Sequence, residues 1–391
     1  MATAQTALAF DDLPTLRRLP CPAPLARSGR TARLAMVPAD LADDAEAPDP
    51  AFVLGWDYAH HGLVPPAAHL LPGHPLRQGW QAGRAAFGSR TLRAGRGVQQ
   101  WLALRLSAWA QGQAFEGVEV TPNYLAQIDS RRCPVTRAPL GDAACEGGEA
   151  AVIERINHRA GYAAGNLVGL SPLARQAKGG KRWDEARLAA VLAEARQAEG
   201  AGAVEGLASA EWARLATLMS FATPLPHELA ATLPLRVLPP NRVRLINPIQ
   251  GLQALITLQL THSGFAVRIA QLVNLLPGMG LRRDFHLFFH SLLPRAWQGG
   301  RPETPEVMRE RLEDAWAHPD VLRRWQRFSA QISAEQADQL VQKLVAKGLA
   351  NVAKGIPGAQ RTQWHPAARA TEGWALERGG RAVEAGGAVQ A

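Results

Sequence analysis

A polar residue followed at once by proline recurs along this chain, and it limits what the flanking segments can become. Ser171-Pro172, Asn247-Pro248 and Thr304-Pro305 each place a side chain that can accept from exposed amides in front of a residue with no amide to satisfy. Proline at that position already has a φ near the helical value, so each pair predicts a helix start. Ser333 with Gln336 forms a capping box before a stripe of Leu340, Leu344 and Val345. Pro239-Pro240 forbids helix around Leu235 to Ile246, where short extended pieces are expected. The spacing predicts further helices over 76–88, 96–113 and 184–198, with Leu188, Val191 and Leu192 marking the apolar face of the last. The fold class that follows is mainly α.

Punctuation divides the chain. Residues 1–50 mix Pro, Ala and acids and read as an extended or partly disordered arm. Residues 51–127 form a basic helical region, 128–182 a small mixed segment, 183–205 a helix and a Gly/Ala linker, and 206–349 a helical domain. The Gly- and Ala-rich tail over 350–391 is expected not to pack. The most apolar stretch, 249–277, is interrupted by Gln253, Gln259, His262, Arg268, Gln271 and Asn274, so it reads as buried helices and not as a membrane span. The first residues show neither a basic nor an apolar leader region, and the three cysteines exclude a disulfide framework. A cytoplasmic location is the expectation.

From Tyr58 to Phe115 there is no Asp or Glu, yet Arg77, Arg84, Arg90, Arg93, Arg96 and Arg105 occur there among Trp80, Trp101 and Trp109. Guanidinium forks suit phosphate oxygens, and the net charge of +9 favours a polyanionic partner. Two readings of the tryptophans stay open. They can stack on bases, or, since Val98, Trp101, Leu102, Leu106 and Trp109 recur at helical spacing, Trp101 and Trp109 can face a core. The arginines, likewise, can pair with the chain's own acids.

Residues 152–179 read as a short strand, a Gly-bearing turn, a second short strand and a helix opening after Ser171-Pro172, downstream of Cys133-Pro-Val-Thr. This order resembles the ββα-metal core of HNH-type nucleases, over roughly residues 128–182. The resemblance implies an embedded ββα module in which Glu154-Arg155 stand where the family carries a metal-binding carboxylate and its His base. It also implies that Asn166 is the residue that pins the loop over the metal, and that Arg175 stands near the position of a last metal ligand. A guanidinium cannot ligate Mg²⁺. Either His158, four residues after Glu154, serves as base or ligand in a rearranged site, or it lines a turn and the module has kept its basic surface while losing hydrolysis.

On the second alternative Arg155 and Arg175 touch phosphate directly, with Arg159, Lys178 and Lys181 beside them. That gives a nucleic-acid-binding protein, with DNA the favoured partner. On the first, the chain is an HNH endonuclease with Glu154, His158 and Asn166 as catalytic residues, Glu154 as metal ligand and Mg²⁺ or Mn²⁺ as cofactor. A third possibility is a protein-interaction scaffold. No cofactor is otherwise expected. Cys133, Cys145 and His158 fall one short of a structural zinc set. Asp284, His286 and His290 lie amid Phe285, Phe288 and Phe289, which favours a packed aromatic helix over a metal site, and His60, His61, His69 and His74 lie in a loop without a ligand pattern.

Overall fold

The computed structural model describes residues 49–141, 149–200, 202–298, 300, 302 and 304–349. The segments 1–48 and 350–391, and Cys145 with them, lie outside the described residues. Helices dominate: α1 (Pro50–His60), α2 (Pro75–Phe87), α3 (Arg96–Ala110) and α4 (Pro122–Ile128) precede the strands. The strands β1 (Leu140–Gly141) and β2 (Glu149–Ala150) pair in parallel, and β3 (Val152–Arg155) pairs antiparallel with β4 (Leu167–Leu170). Helices α5 (Pro172–Lys178) and α6 (Trp183–Ala198) follow, then α7 (Ser209–Phe221), α8 (His227–Thr232), α9 (Pro248–Gln259), α10 (Phe265–Leu275), α11 (Met279–Ala296), α12 (Pro305–Ala315), α13 (Pro319–Ser329) and α14 (Ala334–Ala346). No described helix is long and apolar enough to cross a membrane.

Proline opens seven of these helices, α1, α2, α4, α5, α9, α12 and α13. Ser171 and Thr304 cap as expected, accepting from Ala174 N and Val307 N at 3.3 Å each. Ser333 and Gln336 complete their box. Asn247 does not cap. Its Nδ2 donates to the carbonyls of Ser220 and Thr223 at 3.0 Å, and its Oδ1 accepts from Leu225 N. A cap would need the side-chain oxygen, which already accepts from Leu225 N, while the amide nitrogen serves carbonyls at the end of α7. Leu235 to Ile246 forms no strand. Its backbone is irregular and buries Leu235, Val237, Leu238, Val243 and Leu245 in the core.

Helices α1 and α2 cross at backbone contact. A Cβ on Gly79 would lie 1.9 Å from the Phe52 carbonyl oxygen, and one on Gly55 would lie 2.0 Å from that of Leu76. Only glycine permits that approach. Trp80 and Trp101 sit partly buried beside this crossing, with their indole N–H groups donated to the carbonyls of Leu63 and Val120. Trp109 packs on the same cluster, with His69 and His74 edge-on to it. These indoles are structural, as the helical spacing of Trp101 and Trp109 anticipates.

A single apolar cluster runs from Cys133 and Val135 through α5, α6 and α7 to Leu344 and Leu349, so the strand segment and the C-terminal helices share a core. Arg137 fastens the two polar rims. It adopts a left-handed φ of +61° in the turn after Cys133 and reaches Asp314 on α12 through both terminal nitrogens, at 3.0 and 2.7 Å, and Glu313 at 3.2 Å. Glu313 is buried, accepts from Leu238 N at 2.8 Å and is held above the usual carboxylate range mainly by desolvation.

Helix α6 reverses its expected facing. Ala186, Ala189, Ala190 and Ala193 point inward, toward α7, and Leu188, Val191 and Leu192 are 58, 56 and 51% exposed. Small side chains let two helices approach closely, and Ser209 Oγ, at the start of α7, reaches the Ala190 carbonyl oxygen at 3.1 Å.

Candidate nucleic-acid interface

The loop between β3 and β4 is organised by one side chain. Asn166 is fully buried; its Oδ1 accepts from Asn157 N at 2.8 Å, and its Nδ2 donates to the carbonyls of Asn157 and Gly161 at 3.0 and 2.9 Å. Both functions of the amide are used, so Asn166 pins the loop. Gly165 before it has φ +90°, and its N–H donates to the Tyr124 hydroxyl at 2.8 Å. The backbone leaves the extended conformation after Arg155, and His158 therefore sits in a turn rather than on the strand face shared with Glu154.

His158 and Glu154 nevertheless meet through a third group. Lys178, at the end of α5 and only 1% exposed, places Nζ 2.7 Å from His158 Nε2 and 3.9 Å from Glu154 Oε1. The other carboxylate oxygen of Glu154 receives Arg175 Nε at 3.2 Å. The same Nε2 of His158 contacts the Gly179 carbonyl oxygen. One ring nitrogen can donate to that carbonyl or accept from the ammonium, but not both. Burial pushes the Lys178 ammonium down to about 8, with Arg155 and Arg175 adding to the effect and Glu154 opposing it. Burial and the charge of Lys178 lower His158 as well.

Lys178 thereby couples stability to pH. Below about 8 both folded and unfolded chains hold the proton, whereas between about 8 and the ordinary 10.5 only the unfolded chain does, so raising pH favours the folded state. Thermal unfolding of the wild type should gain stability relative to Lys178→Met across that window. Parallel curves would contradict the burial of the charge.

A divalent ion does not fit these residues. Its nearest anionic ligand would be Glu154, already neutralised by two cations, and no group of three or more His, Cys, Asp or Glu forms a metal set among the described residues. Cys133 is buried, and its Sγ accepts from Ser171 N at 3.4 Å. Asp284 is engaged by Gln331 and Arg327 and stays apart from His286 and His290, which stack on the outer face of α11. His60 stacks on Phe87 at 4.4 Å and lies beside His61, and His74 caps α2.

Three basic residues expected at a phosphate surface are internal. Arg105, 4% exposed, is ion-paired to Asp57 and lies over the Trp101 ring at 4.7 Å. Arg155, 7% exposed, donates to Gln113 Oε1 and to the carbonyls of His158 and Ala160, and lies over Tyr162 at 4.8 Å. Lys178 is the third. In each case the sequence carried a cation onto an inward helix or strand face, and the fold supplied acceptors for it.

The remainder stay at or near the surface. Lys181 pairs with Glu205 at 2.7 Å, and Arg77 donates to the Leu70 carbonyl. Arg84, Arg90, Arg93, Arg96, Arg159 and Arg175 are exposed. Arg90 and Arg93 occupy the connection between α2 and α3, in the stretch without acids. Sequence reasoning missed the positions of Arg137 and Lys178. For Lys178 a signal existed, since Ala174, Ala177 and Lys178 share the inward face of α5 at helical spacing. Neither family models, curated proteins nor solved structures gave a match to this chain.

Proposed function

We propose that this protein binds nucleic acid, DNA foremost, through the exposed arginines of the α2–α3 region and the outer edge of the strand–helix segment, without hydrolysing it. The observation that carries this reading is the Lys178 ammonium lying between His158 and Glu154. In an HNH-like arrangement that space belongs to the metal, and here a side-chain cation fills it. The scissile phosphate would meet neither a Lewis acid nor an ionised water. Arg84, Arg90 and Arg93 project from an acid-free segment, and Arg159 and Arg175 extend the positive surface. A cytoplasmic location accords with the sparse cysteines.

Salt dependence tests it. Each lost phosphate contact removes about one unit from the slope of log K against log salt. Replacing Arg84, Arg90 and Arg93 by Ala should flatten that slope by about two to three units in fluorescence anisotropy with duplex DNA. An affinity at low salt no different from background for the wild type would overturn the reading and favour a scaffold.

A further inference from the structure

We infer that α6 is a self-association surface, and that two copies of this chain pair through it antiparallel about a two-fold axis. This inference is independent of nucleic-acid binding. Leu188, Val191 and Leu192 form a stripe at i, i+3 and i+4, each more than half exposed, while four alanines of the same helix are turned inward. A helix that buries its small residues and presents its large ones to solvent has an apolar face with no partner among the described residues.

Charge identifies the occupant as a second copy. Arg187 and Glu194 flank the stripe on one edge, seven residues and two turns apart. Both are exposed, and neither forms an ion pair within 4 Å among the described residues; Glu194 is attracted at longer range to the half-buried Arg236, and Arg187 lies loosely over Trp183, at 6.0 Å. Antiparallel pairing that sets Leu188 against the second copy's Leu192 brings Arg187 of each copy within about one residue's rise of Glu194 of the other. The two-fold axis makes the contact twice. The helix dipoles oppose each other in that arrangement, which also favours it. A parallel pair would instead put this edge of the two copies on opposite sides of the interface, where Arg187 and Glu194 do not meet.

The stripe is short beside the roughly 1,200 Å² or more of total area buried in a tight complex, so the dimer is concentration-dependent. Sedimentation equilibrium of the full chain over a hundredfold concentration range should show the mass rise from 42.1 kDa toward twice that value. Arg187→Glu and Glu194→Arg, each of which places like charges together, should each weaken the dimer about tenfold, and the two combined should restore it. Leu188→Glu should leave a folded monomer by circular dichroism. A mass that stays at 42.1 kDa throughout, a dimer indifferent to Leu188→Glu, or a double variant no better than the single ones would overturn the inference.

Discussion

Asn166→Asp should lower the stability of this protein by about 3 kcal/mol, because a nearly isosteric change removes a side-chain donor from two carbonyls. The loss is roughly 2 kcal/mol for the buried Gly161 carbonyl and about 1 kcal/mol for that of Asn157, which also accepts from Ala160 N at 3.2 Å. A carboxylate there faces them with like partial charge and must either stay protonated or be buried ionised. The midpoint of thermal unfolding should fall by about 5 °C at neutral pH, and part of the loss should return at acidic pH, where the protonated acid can donate once. A change below about 1 kcal/mol would mean that the loop is not held by this side chain.

Gly79→Ala is expected to cost about 3 kcal/mol, against the gain of up to about 1 kcal/mol that alanine brings to an unobstructed helix. The difference lies in the crossing, where the added carbon has the Phe52 carbonyl oxygen at 1.9 Å and the Phe52 Cα at 2.9 Å. Backbone cannot rotate away as a side chain does, so α1 and α2 must separate, and the Leu54, Leu76 and Tyr58 cluster loosens with them. Gly280→Ala, in α11 with no atom near its added carbon, is the control and should be neutral or mildly stabilising. Equal effects at both sites would contradict close packing at the crossing.

The helical character of the fold was legible because its signals are local. A cap followed by proline acts on the next turn whatever surrounds it, and the same device at Asp49-Pro50, His74-Pro75, Thr121-Pro122 and His318-Pro319 could have been read as well. The β3–turn–β4–α5 order was legible for the same reason, whereas the place of Asn166 came from the resemblance and not from a local signal. The direction of cations was not. Arg105 finds Asp57 forty-eight residues away, and no composition of a segment tells which of its arginines meets such a partner. Helix α6 misled in a different way, since its apolar stripe is real but the alanines opposite it pack on α7. Periodicity identifies two faces; close helix packing decides which is buried.

The proposed function puts Lys178 where a metal would sit, in a module proposed to grip nucleic acid without cutting it. Supercoiled plasmid incubated with the full chain and Mg²⁺ or Mn²⁺, then resolved on a gel before and after protein removal, tests this most directly. The account predicts plasmid retarded at low salt, released at high salt and recovered fully supercoiled. Nicked or linear plasmid that disappears with Glu154→Ala would contradict it.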